Sequence, residues 1–368
     1  MRLFVRILYA ILNGVAVIAL LSCIAARYVN PSSFPYFEII GLTFPLIFIA
    51  NVIAAICWLA AQEHKKYFLA SFIPLVLSLP ILFDYFSYKN PEENVRQENA
   101  KGLKVLSYNV MACNYLGWKR NSEVKQQIFS YIFHENPDII CFQEFHHDTH
   151  ESFLLLDSIR QQLNLSYVFY NKSYTLGNHY FQGNLICSRY PIINTGEMKY
   201  QKSGNSTIWA DIVCGKDTVR VYNSHLESYR LSQTDKHTIN DMGKIQNVEP
   251  EKVESIVQKL ARAIQKRGVQ TDELTLSMTE CPYPVISCGD FNAPPCSYTY
   301  HKVKSENNLK DAFLESGFGI GATFNWWPQL RLDYILVSHN IVCNDFKRTG
   351  LKVSDHFPIC CTLTLNNE

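Results

Sequence analysis

The sequence predicts an α/β domain carried behind three membrane-spanning helices. Three observations carry that reading. The first 88 residues hold three charge-free apolar blocks. From residue 103 onward, short β-rich runs alternate with segments of helical period. Strand after strand in that region ends in a polar residue.

The apolar blocks are residues 7–26 (ILYAILNGVAVIALLSCIAA), 39–61 (IIGLTFPLIFIANVIAAICWLAA) and 67–83 (YFLASFIPLVLSLPILF). A helix crosses the hydrocarbon core with about 20 apolar residues, range roughly 17–25, so all three qualify, the third at the short end. Pro74 and Pro80 lie in that third block, and membrane helices tolerate such breaks. Trp58, Tyr67 and Tyr85 stand near block ends, where amphipathic rings favour the headgroup region. A cleaved signal peptide is the alternative for the first block, but no small-x-small site follows it and two more blocks do. A buried helical hairpin of a soluble protein is the other alternative, and three uncharged blocks in a row argue against it. Arg2 and Arg6 precede the first block, and His64, Lys65 and Lys66 separate the second from the third. The loop between the first two holds only Arg27. Basic loops stay in the cytoplasm, so three crossings place the rest of the chain on the far side. The expectation is an integral protein of the cell or inner membrane with an extracytoplasmic domain. Residues 1–88 are the anchor, 89–102 (KNPEENVRQENAKG) a polar linker, and 103–368 the domain.

Composition excludes some classes. A net charge of +1 over 368 residues gives no field suited to coating a polyanion. The 12 Cys form no CxxC pair and no Cys/His finger. Cys141, Cys187, Cys288, Cys360 and Cys361 sit inside apolar runs and read as small buried hydrophobes. One disulfide among the others stays open.

The domain elements follow in order. LKVLSYNV (103–110) is β-rich. NSEVKQQIFSYIFHENP (121–137) places Val124, Ile128, Ile132 and Phe133 on one helix face, closed by Pro137. DIICFQE, NLICSRYPI and TVRVYNSHL are further strands. PEKVESIVQKLARAIQKRG (250–268) puts Val253, Ile256, Val257, Leu260 and Ile264 on one face, with Pro250 in the first turn and Gly268 at the exit. YPVISCGDF, LRLDYILVS and PICCTLTL complete the strands.

The polar residues at strand ends are Asn109, Glu144, His225, Asp290, Asn292, Asp333, Asp355 and His356. Ligands of α/β domains gather at strand ends. Carboxylates and amides there suit a hard cation such as Mg²⁺, which needs only one or two carboxylates. Histidines add groups that exchange protons near neutral pH. Singly, each has a bland reading as a cap, a turn or a surface group; the ordered series does not.

In LSYNV, CFQE, QGNLICSRYPI, YNSHLES, CGDFNAPP, LRLDYILVS and SDHFPI, running in this order over residues 103–364, the chain resembles the endonuclease/exonuclease/phosphatase superfamily. The resemblance implies a two-sheet β-sandwich flanked by helices, like deoxyribonuclease and the abasic-site endonucleases, with the site at one edge. It implies metal ligation by Glu144 and Asn109, with Asp355 a further candidate, by Mg²⁺ or alternatively Mn²⁺. Asp290 and Asn292 resemble the pair that orients the attacking water and the scissile phosphate. His356 resembles the phosphate-contacting, proton-exchanging histidine, Asp333 its carboxylate partner, and His225 a second histidine of the deoxyribonuclease and sphingomyelinase branches. The resemblance leaves open whether Asp290 or His356 is the base. Met111 and Ala293 depart from the acids found near those positions in the DNA-repair branch. Asn184 is a candidate phosphate contact, and Trp326–Trp327 a candidate wall or membrane rim.

The reading is a membrane-anchored, metal-dependent phosphoesterase. Its partners are the lipid bilayer and a phosphate ester, a lipid headgroup or small ester ahead of DNA or RNA. The alternatives are an extracytoplasmic nuclease and a non-catalytic, membrane-tethered binding module.

Overall fold

The computed structural model describes residues 2–61, 67–89, 102–114, 122–149, 154–244, 249–326 and 329–365. The expected linker therefore lies almost wholly outside the described residues, as do His64, Lys65, Lys66 and Trp327. The helices are α1 (Arg2–Ala26), α2 (Tyr36–Gly41), α3 (Phe44–Ala60), α4 (Phe68–Phe83), α5 (Ser122–Glu135), α6 (Leu155–Leu163), α7 (Gln233–Gly243), α8 (Pro250–Thr279), α9 (Tyr298–Glu306) and α10 (Ala312–Ser316). The strands are β1 (Ser87–Tyr88), β2 (Leu103–Asn109), β3 (Ile139–Asp148), β4 (Tyr167–Tyr170), β5 (Tyr174–Leu176), β6 (Tyr180–Ser188), β7 (Ile192–Lys199), β8 (Ser206–Cys214), β9 (Asp217–His225), β10 (Val285–Asp290), β11 (Leu309–Asp311), β12 (Phe318–Gly319), β13 (Asp333–Ser338), β14 (Ile341–Arg348) and β15 (Ile359–Leu365). They fall into two compact units. One is Met1–Tyr85 with Tyr229–Val269 and Pro294–Lys302; the other is Phe86–Ser228 with Gln270–Ala293 and Val303–Glu368.

In the first unit, α1 contains a 23-residue stretch, Phe4–Ala26, long and apolar enough to cross a membrane. Among the described residues it is alone in this, where the sequence predicts three such helices. The second block is split: α2 ends at Gly41 and α3 restarts after Thr43, with Pro45 in its first turn, where a missing N–H breaks no bond. That leaves α3 with 17 residues, and α4 has 16. Pro74 and Pro80 lie inside α4 without ending it. Burial on these helices is inverted relative to a soluble bundle. Phe4, Leu12, Val15, Ile18, Leu46, Ile53, Ile56 and Leu77 are exposed, while Asn13, Asn51, Ser71 and Ser78 are buried. The Asn51 amide donates to the Ala16 carbonyl at 2.9 Å, and the Ser71 hydroxyl to Asn13 Oδ1 at 2.7 Å, tying α3 and α4 to α1.

The first unit also takes in α7, opened by a Ser232–Asp235 capping box, and α8 up to Val269. The sequence ends α8 at Gly268; the helix runs on to Thr279. Gly268 serves packing instead. A Cβ there would meet Pro31 Cγ at 2.9 Å and the Ser32 nitrogen at 3.0 Å.

The second unit is the expected sandwich. One sheet has the order β11-β13-β10-β9-β8-β7, the other β14-β15-β2-β3-β6-β4, with β5 beside β6. Side chains alternate across a strand. Leu103 and Val105 of β2, Ile139 and Cys141 of β3, Val219 and Val221 of β9, Ile286 and Cys288 of β10, and Ile335 and Val337 of β13 fill the core between the sheets. Each such Leu, Ile or Val side chain contributes about 1.5–3 kcal/mol on burial. On the outer face of the second sheet, α5 and α6 lay Val124, Ile128, Ile132, Ile159 and Leu163 over Leu106, Tyr108, Ile140 and Phe142. Most cysteines are buried, and those of the described side chains are free thiols.

Candidate active site

The inward-facing positions do not stay apolar to the strand ends. Continuing each alternation by two gives Ser107 and Asn109 on β2, Gln143 on β3, Asn223 and His225 on β9, Asp290 on β10, and Asp333 on β13. The core therefore turns polar at one edge of the sandwich, where five strands place polar inward side chains. The register agrees: Asp290 stands opposite Asp333 on one side and His225 on the other, and Asn109 opposite Gln143.

An amide layer forms the floor. Gln143 donates to Asn223 Oδ1 at 2.7 Å and to Ser107 Oγ at 3.2 Å. Asn223 donates to the carbonyls of Phe142 at 2.8 Å and Leu185 at 3.0 Å. These bonds join the two sheets beneath the site. Gln143 and Asn223 were visible only as letters within CFQE and YNSH; nothing in their spacing marks them as a bridge.

Above the floor stands a carboxylate–histidine cluster. His356 Nδ1 is 2.8 Å from Asp333 Oδ2, and His356 Nε2 is 3.5 Å from Asp290 Oδ2. The ligand atoms of Asp290, Asp333 and His356 all lie within 4.8 Å of one another. Glu144 reaches the same space through a β-bulge between Phe142 and Phe145, with its own backbone left-handed at φ 51°. The bulge lets Phe145 rejoin the outer face while the carboxylate of Glu144 turns to Asn109, whose Nδ2 is 3.3 Å away. Asn109 Nδ2 also donates to Asp290 at 3.1 Å, and its Oδ1 accepts from the Met111 N–H at 3.0 Å. Expected as a metal ligand, Asn109 here turns its NH₂ to two carboxylates. Asn292, left-handed at φ 52°, donates its backbone N–H to Asp290 Oδ1 at 2.8 Å and its side-chain NH₂ to the Leu226 carbonyl at 3.0 Å.

Electrostatics separate the two histidines. Burial works against a charge on His356, but Asp333 and Asp290 outweigh it and push its pKa up to about 10. Burial dominates at His225 and lowers its pKa against the pull of Asp290. Burial raises Asp290, with His356 opposing and Asp333 adding to the rise. Glu144 is the open member, its side chain 31% accessible, yet the protein around it raises its pKa through lost hydration; the Asn109 bond opposes this and Asp355 adds to it.

The donor set fits a hard divalent cation. His225 Nε2 is buried without a hydrogen-bond partner, 3.6 Å from Glu144 Oε1 and 3.8 Å from Asp290 Oδ2. Asp333 Oδ1 likewise has no partner. Oxygen-rich and short of donors, such a cluster suits an added positive charge.

The loops complete the frame. Ser354 donates to the Asn109 carbonyl at 2.8 Å and accepts the His356 N–H at 3.2 Å. Thr323 Oγ1 accepts the N–H groups of Leu332 and Asp333 at 3.0 and 3.1 Å. The Phe324 ring lies 5.1 Å from His356, with Trp326 edge-on to Phe324 at 6.4 Å. Asn184 is buried with its amide donating to the Ser206 carbonyl at 2.8 Å. Ser354 stood only as a letter of SDHFPI, and Thr323 carried no signal in the sequence.

The geometry has parallels. The model of the Endonuclease/Exonuclease/phosphatase family matches residues 106–356, and that of a Domain of unknown function (DUF8431) matches residues 5–85. No curated protein matches the chain. Among solved structures, an endonuclease/exonuclease/phosphatase family protein from Leptotrichia buccalis C-1013-b is 18% identical, with TM-score 0.50 over 71% of this chain and 99% of that one. An endonuclease/exonuclease/phosphatase from Beutenbergia cavernae DSM 12333 is 15% identical, with TM-score 0.50 over 72% of each chain. D. rerio TDP2, complexed with single strand DNA product, is 15% identical, with TM-score 0.51 over 72% of this chain and 99% of that one. At such identities the likeness is one of fold. The family match, by contrast, is to the sequence itself and spans more than half of it. The chain belongs to the endonuclease/exonuclease/phosphatase family.

Proposed function

We propose that this protein is a membrane-anchored, Mg²⁺-dependent phosphoesterase that hydrolyses a phosphate ester near the bilayer surface. The observation that carries the reading is the convergence of Asp290, Asp333 and His356 within 4.8 Å, beside Glu144, where the sandwich core turns polar. Glu144, with Asp355 as a further carboxylate and Asn109 orienting, would hold the cation, which when bound offsets charge on the phosphoryl oxygens. His356 is cationic at neutral pH and donates from Nε2 to a phosphoryl oxygen, with Asp333 holding its Nδ1 at 2.8 Å. Asp290, raised by burial and fixed by Asn292, accepts the proton of the attacking water. Neutral His225 offers its unpartnered Nε2 to the substrate or water.

Support for the anchor is the inverted burial of α1, α3 and α4. Apolar side chains facing outward and hydrogen-bonded Asn and Ser facing inward suit helices solvated by lipid. At 1.5 Å per residue, α3 and α4 span about 25 Å, a little short of a hydrocarbon core of about 30 Å. In our reading all three cross, with modest local thinning or help from flanking residues. A site tethered there meets headgroups first, and the net charge of +1 gives nucleic acid no long-range advantage.

The test is a substrate panel on the full-length protein in lipid nanodiscs, with and without Mg²⁺. Phospholipid and sphingolipid headgroup esters, sugar phosphates, DNA and RNA are compared. Mg²⁺-dependent turnover highest on a lipid headgroup ester is expected. Faster turnover of DNA or RNA would replace the substrate class, and no turnover of any ester would leave a binding module.

A further inference from the structure

β8, β9 and β10 are neighbours in one sheet of the second unit, and their backbone ladders end at the site. The last pairs are Thr207 with Ser224, and His225 with Asp290. Continuing the first register by two brings Asn205 opposite Leu226. Past the ladders, the Leu226 N–H still donates to the Asp290 carbonyl at 3.0 Å. The Leu226 carbonyl accepts two side-chain amides instead, Asn205 Nδ2 at 2.8 Å and Asn292 Nδ2 at 3.0 Å. A carbonyl oxygen has two lone pairs, so these two donors fill it. The N–H of the same peptide, that of Glu227, donates to Gln270 Oε1 at 2.7 Å. Asn205, Leu226 and Gln270 are all buried, where a lost hydrogen bond is not replaced cheaply by water. Asn205 is itself held. Its N–H donates to Ser203 Oγ at 3.0 Å, and Ser203 donates to the Glu227 carboxylate. The peptide between Leu226 and Glu227 is thus clamped at both of its polar atoms.

This peptide reaches the site through Asn292. The Asn292 amide that donates to the Leu226 carbonyl also lies 3.2 Å from Asp290 Oδ2. A carbonyl free to swing would carry that amide with it and shift its contact with Asp290. We infer that Asn205 and Gln270 are positioning residues for the proposed reaction. They fix the peptide that aims the Asn292 side chain, and through it the Asp290 carboxylate. The inference rests on the reading of Asp290 and Asn292 as site residues.

The experiment uses the full-length protein in nanodiscs, with Asn205→Ala, Gln270→Ala and the control Tyr200→Phe. The control removes a buried bond across the β7–β8 connection, between the Tyr200 hydroxyl and Thr207 Oγ1 at 2.8 Å, and leaves the clamped peptide alone. Thermal unfolding is followed, and kcat and KM are measured on bis(p-nitrophenyl) phosphate with Mg²⁺. Asn205→Ala should lower kcat by about 10–100-fold with KM within about twofold, the size usual for partners one bond removed from a site. Gln270→Ala should act in the same direction. Tyr200→Phe should lower the unfolding midpoint while kcat stays within about twofold of wild type. Unchanged kcat in Asn205→Ala would overturn the inference. So would a loss of kcat in Tyr200→Phe as large as that in Asn205→Ala, which would tie activity to the stability of the connection alone. If Asn205→Ala does not fold, Gln270→Ala decides, and unchanged kcat in that variant overturns the inference. An inactive wild type sinks the catalytic reading and this inference with it, whereas an active wild type that tolerates Asn205→Ala sinks the inference alone.

Discussion

His225 and His356 both approach the Asp290 carboxylate, at 3.8 and 3.5 Å, yet they carry different charges. The difference is Asp333, bonded to His356 alone. The folded pKa of His356, about 10, stands above its ordinary 6.5. Its stabilising contribution is therefore full below about pH 6.5 and is lost as pH rises toward 10. In the metal-free protein, the His356 ring should not titrate between pH 6 and 8.5 by NMR, on a scale where free His titrates near 6.5. In Asp333→Asn it should titrate within that window; a silent ring there would mean that Asp333 does not set its charge. His356→Ala should lower turnover by about 10²–10⁴-fold, and a loss below tenfold would make His356 structural. Glu144→Gln should fold but stay nearly inactive at Mg²⁺ levels that saturate the wild type, because an amide is a weak ligand for a hard cation. Full activity at ordinary Mg²⁺ would remove Glu144 from the site.

Each of these side chains depends on a strand or turn of special shape. Gly289 precedes Asp290 with φ 137°, and a Cβ there would lie 2.0 Å from the Ser224 carbonyl oxygen. The parallel pairing of β9 and β10 that sets His225 beside Asp290 requires that absence. Gly289→Ala should cost about 3 kcal/mol or more, since the strain and the clash act together. Thermal unfolding would check this, and an unchanged midpoint would mean that the strands can separate freely. Glu144 depends on its bulge in the same way, and no feature of CFQE shows that an extra residue is inserted there. Most strands of the core were legible from their apolar runs. β8 was not, although Ile208, Ala210 and Ile212 lie in the core, because Asp211 interrupts its run. Nor were β4, β5, β7 and β14, whose alternation is weak or broken by polar residues.

For the molecule as a whole, two measurements are decisive. An alkaline phosphatase reporter fused after residue 100 should be active, if three crossings place the catalytic domain outside the cytoplasm. A silent reporter, with a cytoplasm-active one bright at the same junction, would mean an even number of crossings and a cytoplasmic substrate. A fragment starting at residue 89 should be poorly stable, because Arg267 would lose Glu38, and breaking a buried pair costs about 3–5 kcal/mol. A fragment as stable as the parent sandwich would show that the pair contributes little.

The sequence by itself determined the α/β class and most strands of the core, and it singled out eight polar residues, since period-two alternation and local composition are written in neighbouring letters; Glu144 stands at a bulge inside β3 and Asp355 and His356 before β15. The sequence also marked the N-terminal region as apolar. What it left to the tertiary structure depends on residues far apart in the chain. Only folding shows that the second apolar block breaks after Gly41, that α8 runs through Gly268 to pack on Pro31, and that Glu38 and Asp84 find Arg267 and Arg27. Burial and pairing are properties of the assembled chain. They decide which histidine is charged, which glycine is a contact and not a stop, and which residues of the N-terminal region are bonded to Pro294–Lys302 within the first unit.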